Sequence, residues 1–140
     1  STALVLGSSA NNTYLQAFRN AGSLAGYISV SGTTTTYNSV SDYRLKENAQ
    51  PLTNGLNTIS QLKPCTYNWI ADKSQGKGFI AHELQTVVPD AVSGEKDAVN
   101  EDGSIKPQGI DTSFLVATLT AAIQELNAKV TALEAQLGAK

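Results

Sequence analysis

Ser41 and Lys46 pair a hydroxyl with an amine five residues apart. Such a pair can do nucleophilic chemistry. A lysine amine held away from water takes the serine proton and leaves the oxygen free to attack a carbonyl. Regular structure does not bring the two together. Five residues along a helix is about 140° around the axis, so they would not share a face. Five along a strand puts them on opposite faces. They meet only if the backbone turns between them, or if they come from different chains. The stretch also fits a plainer role. Ser41 or Asp42 can cap a short helix, with Asp42 and Lys46 as an ion pair four residues apart.

The other residue types with possible chemistry are sparse. His82 is the only histidine, and as a general base for Ser41 it competes with a structural role at a strand-to-helix junction. Cys65 is the only cysteine, which excludes an internal disulfide framework and fits a reducing compartment. It opens a β-like run after a proline and reads as a core residue. No CxxC or HxxxH spacing suggests a metal. The acidic group Glu95, Asp97, Glu101 and Asp102 lacks the spacing of a calcium loop and reads as a solvated turn. No metal and no cofactor are expected.

Net charge is −2 over 140 residues, so nothing points to nucleic acid or an anionic membrane as partner. No apolar run approaches the ~20 residues of a membrane span. No basic-then-apolar signal segment opens the chain, and Ser1 reads as an internal position of a longer protein. Charge is unevenly placed. Between Ser1 and Val40 the only charged residue is Arg19, and all twelve acidic residues follow Ser41. That shift marks a candidate boundary at the Ser–Lys pair itself.

Before the boundary, Leu4-Val5-Leu6, Tyr14 to Phe18, Leu24 to Val30 and Thr33 to Tyr37 read as strands, punctuated by Gly22, Gly26 and Gly32. The piece has too few large apolar side chains for its own core. It reads as the end of a β-rich fibre whose strands pair with neighbouring copies. A Ser/Thr/Gly linker is the alternative, disfavoured by Tyr14, Leu15, Phe18, Tyr27 and Ile28.

After the boundary, Leu52, Leu56, Ile59 and Leu62 form a helical stripe from Pro51 to Leu62, weakened by Gly55. Cys65, Tyr67 and Trp69 alternate as a strand, and Gly78 to Ala81 reads as its return. Glu83 to Val88 reads as a short helix stopped by Pro89. Lys96 to Val99 and Ser104 to Lys106 flank a turn at Asn100 to Gly103. Asp111 can cap a final helix. There Val116, Ile123, Val130 and Leu137 fall at heptad position a, and Leu119, Leu126 and Leu133 at d. A narrow seam flanked by alanines favours association between helices. β-branched residues at most a positions, with leucine at d, lean toward a parallel dimer.

Five blocks in this order resemble a known family. They are Ser41-Asp42-Tyr43-Arg44-Leu45-Lys46-Glu47-Asn48 with Pro51-Leu52, then Leu62-Lys63-Pro64-Cys65-Thr66-Tyr67-Asn68-Trp69. Gly78-Phe79-Ile80-Ala81-His82-Glu83-Leu84-Gln85 and Val88-Pro89-Asp90-Ala91-Val92 follow, then Gln108-Gly109-Ile110-Asp111. Together with the leucine-rich helix they resemble the C-terminal intramolecular chaperone domain of phage tail spikes and tail fibres, the endosialidase-type peptidase S74 family. The resemblance runs from Ser41 to about Leu137. It implies an α+β fold: residues 1–40 as the end of a fibre stem, 41–110 as a small chaperone and autoprotease domain with hairpins, and 111–140 as a coiled-coil helix. It implies a homotrimer, and a fibre stem would impose that symmetry over the dimer that the heptads favour.

The implied function is to bring chains together, assist an intertwined β-structure in folding, and then cut itself off at the Ser41–Asp42 bond in a single turnover. Ser41 resembles the nucleophile and Lys46 the general base, with Arg44 and Asn48 as candidates to assist. The partners would be further copies of the chain and the upstream fibre segment. The place would be the host cytoplasm during assembly, with the fibre passing into the virion tail. Two alternatives remain beside it: a trimerisation module that never cuts, and a receptor-binding fibre tip.

Overall fold

The computed structural model describes residues 13–138, and its class is mixed α+β. The chain divides into two compact units, Ser1–Gln50 and Pro51–Lys140.

The first unit holds a three-stranded antiparallel sheet, β1 Thr13–Asn20, β2 Ser23–Ser31 and β3 Thr34–Ser39, with β2 in the middle. The strands fall where β-branched and aromatic residues gather, joined by two-residue turns. The expected strand at Leu4-Val5-Leu6 lies outside the described residues. Gly26, one of the glycines that punctuate the expected strands, sits inside β2 opposite Ser39, where a Cβ would stand 2.6 Å from the Asn38 carbonyl oxygen. The glycine thus permits a close strand approach. It is also the one buried residue of this unit among those described, while Phe18 and Tyr37 are exposed. A sheet of this size without a covered face is marginal on its own.

The second unit begins with α1, Gly55–Ser60, followed by the hairpin β4 Cys65–Asn68 and β5 Gln75–Gly78. Next come α2 Ala81–Gln85, a 3-10 turn Pro89–Ala91, and the short pair β6 Val92–Ser93 with β7 Gly109–Ile110. A second 3-10 turn, Thr112–Phe114, leads into α3, Leu115–Gly138. Its core gathers Leu84, Ala91 and Leu115, with Leu62, Phe79, Val88 and Val92 packed around them. Each element contributes one or two side chains, and none could bury an apolar face alone.

Several expectations shift in detail. The helix from Pro51 to Leu62 shrinks to six residues, and Leu52 is exposed. Its start is set by Asn54, whose left-handed φ of 67° breaks the preceding chain. The return strand begins at Gln75, because the turn closes early through Trp69 N–H to Ser74 O at 2.8 Å. The short helix begins at Ala81 and ends at Gln85, and Pro89 opens the following 3-10 turn. The expected hairpin around Asn100 is reduced to a single bridge, Val99 to Ile105. Asp111 caps as expected, accepting from Ser113 N–H at 2.9 Å, but caps the 3-10 turn before α3.

Gly55 carries the largest revision. The sequence suggests a weak point in a helix. In the structure Gly55 is buried at the first position of α1 against α3, where a Cβ would lie 2.6 Å from Ala122 N and 2.8 Å from Thr118 O. Glu125 reaches from α3 to the same end, accepting from Gly55 N–H at 2.8 Å and Leu56 N–H at 2.9 Å. These are two of the amides that a helix start leaves unpaired. Asn54 makes no side-chain cap, so α3 supplies it.

Candidate functional site

The backbone does turn between Ser41 and Lys46. After β3, Val40 N–H still bonds to Ala25 O at 2.9 Å, which ties the chain to β2 for one more residue. Ser41 follows, and then a single 3-10 turn, Tyr43–Leu45. Leu45 N–H bonds to Asp42 O and Lys46 N–H to Tyr43 O, both at 3.1 Å. Lys46 is extended again, with φ −129° and ψ 144°. This one turn brings the amine back over the residue before it. Lys46 Nζ donates to Ser41 Oγ at 2.6 Å. Nucleophile and base candidates thus lie within hydrogen-bond reach, as proton transfer requires. Both residues are exposed in the single chain.

Asp42 caps the turn, as the plainer sequence reading allows, but its ionic partner is Arg44 and not Lys46. Asp42 Oδ1 accepts from Arg44 N–H at 2.9 Å and from Arg44 Nε at 2.9 Å, and Oδ2 accepts from Nη2 at 2.7 Å. The Arg44 side chain, and then its backbone amide, hold the Asp42 carboxyl below its ordinary value. The two-residue spacing Asp-x-Arg is the signal for this pairing in the sequence. It fits a tight turn, where i and i+2 side chains converge, and not a helix, where they diverge. With Arg44 engaging Asp42, Lys46 turns to Ser41. Asn48 has a left-handed φ of 52°, and no side-chain hydrogen bond joins it to Ser41 or Lys46 among the described residues.

The remaining candidates have other surroundings. His82 is half-buried in α2 of the second unit. Cys65 is a free, half-buried thiol at the start of β4. Asp102 accepts from Ser104 N–H and Oγ, and Asp72 accepts in the same way from Ser74, so both close exposed turns. No group of three or more His, Cys, Asp or Glu is placed to hold a metal ion among the described residues. No helix among them is long and apolar enough to cross a membrane.

The second candidate element is the heptad face of α3. Val116, Leu119, Ile123, Leu126, Val130, Leu133 and Leu137 are all open, at 42–73% exposure. The helix docks on α1 through Thr118, Ala121, Ala122 and Glu125 instead. At 3.6 residues per turn the two faces lie roughly 120° apart around the axis. Docking within the chain therefore leaves the heptad face free.

Residues 41–93 match the family model of peptidase S74, described as chaperone of endosialidase. Over 133 residues the chain is 29% identical to the long tail fiber protein Gp37 of Enterobacteria phage K3, which covers 91% of this chain and 10% of that protein. It is likewise 29% identical over 133 residues to Gp37 of Enterobacteria phage T2, covering 9% of it. The chain spans about a tenth of the length of these curated relatives. The family match begins at Ser41, the residue that Lys46 contacts.

Proposed function

We propose that this chain, with a chaperone-of-endosialidase segment at 41–93, is the assembly end of a phage tail-fibre polypeptide that finally severs itself. The observation that carries the reading is the 2.6 Å contact between Lys46 Nζ and Ser41 Oγ at the foot of a β-sheet. The boundaries proposed are 1–40 for the fibre end, 41–110 for the chaperone and protease, and 111–140 for the coiled coil.

The open a/d seam of α3 gathers three copies of the chain. Joining chain ends raises their effective concentration and sets their register. The help is needed upstream. Interchain β-structure forms slowly and exposes strand edges while it does. The three-stranded sheet, with Gly26 the one buried residue among those described, fits a surface awaiting neighbours. Losing the clamp after winding leaves a fibre whose persistence is kinetic.

For the cut, Ser41 Oγ passes its proton to a neutral Lys46 amine and adds to a carbonyl carbon. Backbone amides stabilise the oxyanion, the departing amine takes the proton back from Lys46, and water then hydrolyses the ester left on Ser41 Oγ. Ser41 does not reach its own carbonyl without closing a four-membered ring. Three routes avoid that ring: attack on the same bond in another copy, activation of a water by Ser41, or attack on the Val40 carbonyl, which would instead begin the released piece at Ser41. A chain that is its own substrate compensates for a modest dyad by proximity. The dyad is exposed in the single chain, and so are its neighbours Tyr43 and Leu45. Neighbouring copies covering those apolar groups would exclude water from the amine and tie the cut to assembly.

A denaturing gel of the chain extended upstream of Ser1 tests the reading. The wild type should release a piece of about 99 residues beginning at Asp42. Ser41→Ala and Lys46→Ala should stay whole, and a cut in either would refute the dyad. A wild type that stays whole while forming trimers would support a trimerisation module that never cuts, which fits the relatives being named as fibre proteins.

A further inference from the structure

We infer that Asp42 and Arg44 are positioning residues for the cut, their two-point fork fixing the turn that carries Lys46 to Ser41. This deepens the self-cleavage reading above and rests on it.

The turn has little else to hold it. A single 3-10 turn is short and its hydrogen bonds are poorly aligned. None of Tyr43, Arg44 or Leu45 is buried, and Tyr43 and Leu45 are 82% and 71% exposed. Packing within the unit therefore does not select this conformation. What does is one carboxylate taking three hydrogen bonds from Arg44 across two residues. It is the ion pair of residues 13–50 among those described. On the other side, Val40 N–H is fixed to Ala25 O. Ser41 is thus strung between a sheet bond and a charged fork, and only the fork lies on the segment that leads to Lys46.

The chemistry gives the fork a second use. Asp42 is the residue on the leaving-amine side of the Ser41–Asp42 bond. Anchoring its side chain holds that side of the bond still while Oγ attacks. An exposed ion pair adds little to overall stability. Its loss should therefore spare folding and assembly but loosen the dyad.

The test is the single-turnover rate of release from the upstream-extended chain, at equal assembly by sedimentation and equal helix content by circular dichroism. Arg44→Ala and Asp42→Asn should slow release by about 10- to 100-fold, the scale expected for misplacing a reacting group by an ångström. Arg44→Lys should fall between, because one ammonium does not span both carboxylate oxygens. Millimolar guanidinium should speed Arg44→Ala and leave Arg44→Lys and the wild type unchanged, since a free fork can refill the site.

Wild-type rates in Arg44→Ala and Asp42→Asn, with Ser41→Ala still whole, would overturn the inference and leave the dyad standing. Slowing that neither guanidinium nor Arg44→Lys relieves would also overturn it, reducing the pair to a folding element. Cutting in Ser41→Ala, or a wild type that never cuts, would remove both readings. If Arg44→Ala does not assemble, Arg44→Lys and Asp42→Glu decide, with wild-type rates in both counting against the inference.

Discussion

Gly55 lies so close to Ala121 that a Cβ on the glycine would stand 2.9 Å from the Ala121 Cβ. The contact joins a six-residue helix to one of 24 residues, and a carboxylate from the longer helix closes it. A helix as short as α1 does not persist in water alone. Its existence is a tertiary fact.

Gly55→Ala should destabilise the second unit by about 1–3 kcal/mol, as overpacking does. Alanine ordinarily helps a helix, but here the Cβ would strike backbone atoms, Ala122 N and Thr118 O, which do not swing aside. Urea unfolding of the variant would read the shift. An unchanged or higher midpoint would mean that α1 does not dock as described.

Glu125 should keep α1 docked from pH 8 to pH 5. The amides of Leu56 and then Gly55 hold its carboxyl below the ordinary value. A group whose folded pKa is depressed contributes stability above its unfolded pKa, and that contribution is lost as pH falls through the folded one. Exchange protection of the Gly55 and Leu56 amides should hold down to the ordinary carboxylate range, about pH 4.3, and fade below it. Glu125→Gln should lower that protection wherever the wild-type carboxylate is ionised, and match the wild type once it is protonated, because a single neutral amide oxygen replaces two carboxylate oxygens. Protection that fades between pH 7 and 5 would count against the contact.

Lys46→Arg separates a hydrogen bond from a base. A guanidinium still donates to Ser41 Oγ but stays charged throughout the accessible range. The variant should fold and assemble like the wild type and release no C-terminal piece over hours. Release at the wild-type rate would show that the amine only orients Ser41.

Ile123→Asp with Leu126→Asp should disrupt association and spare the monomer. Both side chains are open in the single chain and lie away from the α1 contact. Two carboxylates on the a/d seam would meet their equivalents in every partner copy. Sedimentation equilibrium at micromolar concentration should give a monomer with wild-type amide protection at Leu56. A persisting trimer would move the association surface elsewhere.

Much of this was legible in local patterns. The heptad of α3 and the alternation of Cys65 and Tyr67 are periodic, and β1 to β3 follow the gathering of β-branched and aromatic residues; both signals survive without knowledge of the fold. Ser41 and Lys46 were visible as types that suit each other, and their spacing was enough to say that a turn had to intervene. The nature of that turn was not visible. Asp42 had two cations within four residues, and helix spacing favoured Lys46. A 3-10 turn in place of a helix gave Asp42 to Arg44 and released Lys46 to Ser41.

The α1–α3 contact lay wholly beyond the sequence. Glu125 and Gly55 are 70 residues apart, and no spacing rule couples a carboxylate to amides at that distance. Gly55 looked like a defect because propensity prices a residue by its own helix and not by the helix packed against it. Composition and periodicity thus determined the α+β class by themselves, and marked the heptad pattern and the candidate Ser41–Lys46 pair. Close approach between distant backbones decided the rest, because it depends on which side chains are missing where two elements touch.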